Sequence, residues 1–372
     1  MEENSGLRIV SVGGGTGLSS LLSGLRAYVG KEWLSSDAAN AVWVESLAAV
    51  VTVTDDGGSS GRLREEFQIL PPGDIRNCMA ALAEDERLLT KLFQYRFESD
   101  GELSGHSFGN LFLTALAGVT GDFLEAIKVS SEVLAIKGRI FPSTMEDVAL
   151  VAELEDGRVI KGETKIVEAR TPIKRLSLSP ASCKPLPETL DAIKHADIIT
   201  IGPGSLYTSI IPNLLVDNIV NAMNESNALK VYICNIMTQP GETDGFTVED
   251  HLRALIEYSP RLELDYIVVN SAAINPALRE KYLADGAAQV KFRAQQDSSS
   301  LPQTVDIGSL NHRKVSIVCE DLLNEHDVVR HDPDRLAGLV LRIHRMERVA
   351  SLVIAYGESP DSAHTLAPTE EL

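Results

Sequence analysis

Along the chain, short unbroken apolar runs alternate with stretches whose apolar positions recur every three or four residues. The unbroken runs are Arg8–Val12, Ala49–Thr54, Asp197–Ile201, Val231–Cys234 and Tyr266–Val269. They are rich in β-branched residues and end abruptly in small or polar ones. A strand apolar on both faces suits a parallel sheet covered on both sides. Helical spacing runs over Leu18–Tyr28, Glu86–Phe97, Ser107–Ala117, Asp122–Leu134, Asn213–Met223 and Val248–Tyr258. Alternation of this kind predicts a doubly wound α/β fold.

Three segments break the pattern. Asp147–Lys165 alternates in period two and turns at Asp156–Gly157, a dipeptide suited to tight hairpins. We read a β-hairpin inserted at about 147–168. Ala169–Pro187 holds four prolines and reads as a loop leading into a helix over Glu188–His195. The polar tail 357–372 lacks hydrophobic periodicity and is expected to be disordered. Residues 7–349 then form one α/β domain without an internal repeat.

Composition narrows the function classes. The formal charge of −19 and pI near 4.9 argue against a general nucleic-acid grip, which needs a basic footprint. Local basic pockets stay compatible with that charge. The four cysteines include no CxxC pair, so neither a metal knuckle nor a disulfide framework is indicated. The first residues lack a signal peptide's basic and apolar regions. No segment approaches the roughly 20 apolar residues of a membrane helix. The expectation is a cytoplasmic protein without membrane insertion, free to form a homo-oligomer.

Ligands of doubly wound folds bind beyond the carboxyl ends of the strands, and the glycine-rich stretches fall there. Gly13, Gly14, Gly15, Thr16 and Gly17 stand between a strand and a helix, where close backbone approach makes an anion site. The stretch is neither GxGxxG nor a P-loop; a ligand-free tight turn is the bland alternative. Asp55 and Asp56 either hold Mg²⁺, which accepts one or two carboxylates, or form a turn. Ser59, Ser60, Arg62 and Arg64 follow them and favour phosphate. Gly202, Gly204 and Ser205 end another strand and suit a second phosphate or ribose contact. Ser107 reads as a helix cap and His106 as structural, while Asn110 one turn inside can face the cleft. Tyr282 can stack on a pyrimidine or simply pack. Arg330 can reach a diphosphate with its planar fork or form a surface ion pair. No GxSxG elbow or HExxH spacing supports a hydrolase or zinc enzyme. A nicotinamide dehydrogenase fails on the imperfect fingerprint.

Taken in order, VGGGTG, TDDGGSSGRLR, PPGDIRNCMAAL, GHSFGNLF, TIGPGSLYTSIIPNLLV and NIMTQPGETDGF resemble the 2-phospho-L-lactate transferases and the related gluconeogenesis factors (CofD- and YvcK-like proteins). The similarity covers about Leu7 to Val349 and is closer to the gluconeogenesis-factor branch. It implies a Rossmann-like fold. The transferase branch moves phospholactate onto a deazaflavin coenzyme precursor with Mg²⁺. The other branch is tied to cell shape on gluconeogenic carbon sources and to nucleotide sugars such as UDP-N-acetylglucosamine. The resemblance places Asp55 and Asp56 at the acidic metal position, and Gly13–Gly17 and Gly202–Ser205 near phosphate. DDGGSSGRLR departs from the transferase branch right after the acidic pair. The expected partner is a small nucleotide sugar, and whether the chain binds or catalyses stays open.

Overall fold

The computed structural model describes residues 6–30, 43–84, 87–98, 100–292, 303–305, 315–326 and 328–357. Its main sheet has eight strands. They run in the order Gln303–Val305, Val315–Glu320, Tyr266–Asn270, Leu229–Ile233, Ile198–Ile201, Leu7–Gly13, Val44–Val51 and Arg139–Pro142. Every pairing is parallel except that of the edge strand Gln303–Val305. This is the expected doubly wound, Rossmann-like sheet. The central strands are buried along nearly their whole length, which explains their unbroken apolar runs.

The strand order positions the site. From the first strand, Leu7–Gly13, the chain builds outward to one side through Val44–Val51 and Arg139–Pro142. It then returns to place Ile198–Ile201 on the other side. The direction of winding therefore reverses between Leu7–Gly13 and Ile198–Ile201. The loops leaving these two strands diverge and open a crevice there.

Most helices fall within a few residues of expectation: Gly15–Leu25, Arg87–Gln94, Phe108–Thr120, Phe123–Val133, Pro187–Lys194 and Val248–Tyr258. The helix expected over Asn213–Met223 is two pieces, Ile211–Leu215 and Ile219–Glu225. The left-handed backbone of Asn218, φ 63°, separates them. The inserted hairpin pairs Ala149–Leu154 with Val159–Lys161. Ile173–Ser179 adds a third strand to it where a loop was expected. Pro172 and Pro180 bracket that strand rather than interrupt it, so proline content misled where proline position would not have. The helix Glu163–Glu168 lies between hairpin and third strand. The tail beyond residue 357 lies outside the described residues.

The helix Gly15–Leu25 packs on Gly73–Leu82 and on the long helix Pro333–Gly357. Gly24 lets the last pair meet: a Cβ there would stand 2.0 Å from the Pro333 carbonyl oxygen. We expect Gly24→Ala to cost about 1–3 kcal/mol by overpacking, read as a lower denaturant midpoint with an unchanged slope. An unshifted midpoint would mean that the helices separate without cost.

Candidate functional site

A cavity of about 330 Å³ opens at the reversal point. Gly14–Gly17 form one wall and Pro203–Ser205 the facing one. The two loops touch through their backbones. A Cβ on Gly17 would stand 2.7 Å from the Pro203 carbonyl oxygen, and one on Gly204 3.2 Å from that of Gly14. Gly15 has φ +63°, a left-handed conformation that costs glycine least. Buried Asn213 joins the loops from below, its Nδ2 donating to the Gly13 oxygen at 2.9 Å and the Ser209 oxygen at 2.7 Å. The helix Gly15–Leu25 starts with no cap from its own N-cap residue and no acid in its first turn, so its leading amides, apart from that of Gly15, offer positive potential.

The rim comes from later in the chain. The loop after Leu229–Ile233 contributes Asn235–Met237 and Gln239. Gln239 Nε2 donates to Ser205 Oγ at 2.7 Å and ties this loop to the second glycine wall. Tyr282, on the helix Pro276–Ala284, and Arg330 also line the cavity. The Tyr282 hydroxyl accepts from the Val329 amide at 2.9 Å, anchoring the segment that carries Arg330. Arg330 is exposed and has no ion-pair partner among the described residues. Beside it His331 is buried. Burial pushes its imidazole pKa down to about 4 against a hydrogen bond to the Cys234 carbonyl, so the ring is neutral at physiological pH.

Behind the glycine loop stands an acidic group. Asp74, in the first turn of Gly73–Leu82, accepts from the Gly15 amide, and its pKa is pushed up to about 6 by burial and then by the charge of Asp55. Burial also raises Glu163 well above the carboxylate range, aided by Asp55, Asp74, Glu242 and Asp56. Glu242 is pushed up to about 7 by burial, opposed by the Tyr207 amide. Among the described residues no three His, Cys, Asp or Glu side chains are set to hold a metal. Asp56 is spent on structure: its Oδ1 accepts from both the amide and the hydroxyl of Thr164, each at 2.8 Å. Asp55 Oδ1 accepts from the Gly57 amide at 2.8 Å.

Of the residues singled out in sequence, the structure brings Gly14, Gly15, Thr16, Gly17, Gly204, Ser205, Tyr282 and Arg330 to one cavity. Gly13 ends its strand and Gly202 follows Ile198–Ile201, each directly preceding a wall of the cavity. Ser59, Ser60, Arg62 and Asn110 lie elsewhere. GGSSGRLR folds as the start of the helix Gly58–Phe67 and not as a loop. Ser59 Oγ bonds His106 Nδ1 at 2.9 Å and accepts from Asn110 Nδ2 at 3.1 Å, a buried network. Arg62 donates to the Ser104 carbonyl at 2.6 Å, and Arg64 pairs with Asp147. Sequence reasoning missed Asp74, Gln239 and His331. An acid right after Pro-Pro-Gly at a helix start was the available signal for Asp74. Gln239 stands in NIMTQPGETDGF, just past the run Val231–Cys234, which was its signal; nothing local marks His331.

Comparison with known proteins agrees with this geometry. Residues 9–307 match the model of the CofD family, described as 2-phospho-L-lactate transferase. A protein of Aquifex aeolicus is 46% identical over 350 residues, covering 93% of this chain and 99% of the relative. The gluconeogenesis factor of Bacillus subtilis is 44% identical over 335 residues, covering 90% and 97%. A crystal structure of a UPF0052-family protein from Bacillus halodurans superposes with a TM-score of 0.79 at 43% identity, covering 91% of this chain and 99% of that one.

The acidic group fixes a pH response. The folded state retains protons on Asp74 and Glu242 that the unfolded chain releases near its ordinary carboxylate pKa. Stability therefore falls as pH rises from about 4 through about 7. Glu242→Gln should flatten the decline between about pH 5 and about pH 8 in thermal unfolding. Parallel profiles for variant and wild type would show that Glu242 ionises freely in the fold.

Proposed function

The chain belongs to the CofD family, and from that premise we propose that it binds a nucleotide sugar of the UDP-N-acetylglucosamine type. The observation that carries the reading is the cavity where two glycine loops meet by backbone, with Tyr282 and Arg330 on its rim. A diphosphate calls for close amides and a planar cation, and a base calls for an aromatic surface. The cavity offers all of these. Its relatives carry the name gluconeogenesis factor, and we propose with it a cytoplasmic role in cell shape and in control of cell-wall and carbon metabolism, on one α/β domain over 7–349.

Mg²⁺ fits this reading through a different pair from the one read in sequence. Magnesium keeps several waters and needs one or two protein carboxylates beside substrate phosphates. Asp55 and Asp74 answer to that, each within the other's field beside the glycine loop, whereas Asp56 is held by Thr164. The cation would neutralise phosphate charge. The residues of this chain would orient the diphosphate along the glycine wall and keep the base at Tyr282. The rival reading, a Mg²⁺-dependent 2-phospho-L-lactate transferase, draws on the same acids. Sustained turnover of a phospholactyl donor with a deazaflavin acceptor would favour it.

Tyr282→Ala and Arg330→Ala should each weaken UDP-N-acetylglucosamine binding by roughly tenfold or more in calorimetry, with circular dichroism unchanged. Wild-type affinity in both folded variants would remove the rim from the ligand site.

Asp55→Asn loses charge at nearly constant shape. It should abolish the Mg²⁺-dependent part of binding, while Asp56→Asn acts mainly on stability through Thr164. Identical wild-type affinity with and without a chelator would overturn the metal assignment.

A further inference from the structure

A second chamber adjoins the cavity and joins it through Thr16, Ser20 and Arg330, which line both. It measures about 460 Å³ and is walled by the helices Gly15–Leu25, Gly73–Leu82 and Arg87–Gln94. Among the described residues its charged lining is Arg26, Lys91 and Arg330, with no carboxylate. The chain as a whole carries −19, but charges are screened beyond roughly 8 Å at physiological ionic strength. Among the described residues the three lining cations are the charges that face a ligand in the chamber. Arg26 is held in place by the Ala83 carbonyl. Lys91 is exposed and, like Arg330, has no carboxylate partner among the described residues.

The polar wall has the opposite character. Ser19 Oγ donates to the Gly15 oxygen at 3.0 Å, Ser20 Oγ to the Thr16 oxygen at 3.0 Å, and Ser23 Oγ to the Ser20 oxygen at 2.8 Å. The Ser20 and Ser23 hydroxyls spend their protons on the helix and keep their lone pairs for the chamber, whereas the Ser19 hydroxyl also meets the buried Cys78 thiol. The wall thus accepts hydrogen bonds while the cations supply charge and donors. A bare oxyanion satisfies the cations but not the serines, and a neutral sugar does the reverse. We propose that this chamber binds a phosphorylated polyol, with its phosphate among Arg26, Lys91 and Arg330 and its hydroxyls on Ser20 and Ser23. The assignment goes beyond the nucleotide-sugar reading and needs no ligand in the main cavity.

Calorimetry of the full chain with glucose 6-phosphate, glucose and inorganic phosphate tests it. Glucose 6-phosphate should bind more tightly than either fragment. Lys91→Glu, a surface change, should weaken it by roughly tenfold or more and leave UDP-N-acetylglucosamine affinity within about twofold of wild type. Binding of both ligands at once supports the proposal; mutual exclusion would put glucose 6-phosphate in the main cavity and overturn it. No heat from glucose 6-phosphate, equal affinity for phosphate alone, or an indifferent Lys91→Glu would overturn the proposal. If the wild type ignores the UDP-sugar yet binds glucose 6-phosphate, the main-cavity reading fails and this one stands.

Discussion

Everything in the site depends on two loops meeting backbone to backbone where the sheet reverses its winding. A side chain on Gly17 would drive into the Pro203 carbonyl, and one on Gly204 would press on Gly14. The contact exists because Leu7–Gly13 and Ile198–Ile201 are neighbours in the sheet though nearly two hundred residues apart. Asn213 then fixes the floor by bonding Gly13 and Ser209 together. Neither loop alone is a site. Their approach narrows the crevice until main-chain groups, rather than side chains, face whatever enters it.

Charge is distributed unevenly around that contact. Asp74 takes the Gly15 amide, so the loop offers a ligand fewer free donors than its glycine count suggests. The carboxylates of Asp55, Asp74, Glu163 and Glu242 gather on one side, and neighbouring charge adds to burial in raising the cost of ionising Asp74 and Glu163. Arg26, Lys91 and Arg330 stand on the other. An anion entering the cavity is repelled from the first side unless a cation or a proton intervenes, and is drawn towards the second. That polarity orients a ligand before any specific contact forms.

How much of this was legible in sequence depends on whether a residue's role is local. The continuous strands were readable because burial on both faces writes itself into consecutive residues, as in Tyr266–Asn270. The glycine walls were readable because a strand followed by small residues leaves few other uses. GGSSGRLR misled because small residues serve packing as well as ligand approach. In the helix Gly58–Phe67 a Cβ on Gly61 would stand 2.0 Å from the Asp56 oxygen, and one on Gly73 2.4 Å from Ser60 Oγ. Small size there lets a helix sit close to its neighbours. Its arginines answer partners about forty and eighty residues away, which no local pattern reveals. Tyr282 and Arg330 were placed by strand-end position, whereas His331 carries no local sign that its ring would be buried beside the cavity.

The inserted small sheet acquires meaning from the same acids. Asp56 caps Thr164 through two hydrogen bonds spanning 108 positions, and Gly162 packs so closely that a Cβ would stand 2.2 Å from Asp56 Oδ2. Glu163, between those two residues, feels all four neighbouring carboxylates. The insertion is thus pinned to the sheet at the point where negative charge is most crowded. Neutralising that charge, by proton or by cation, relieves repulsion between the insertion and the main sheet. Its docking and the occupancy of the acidic group are therefore linked, because anything bound there in the folded state alone stabilises the arrangement that holds it.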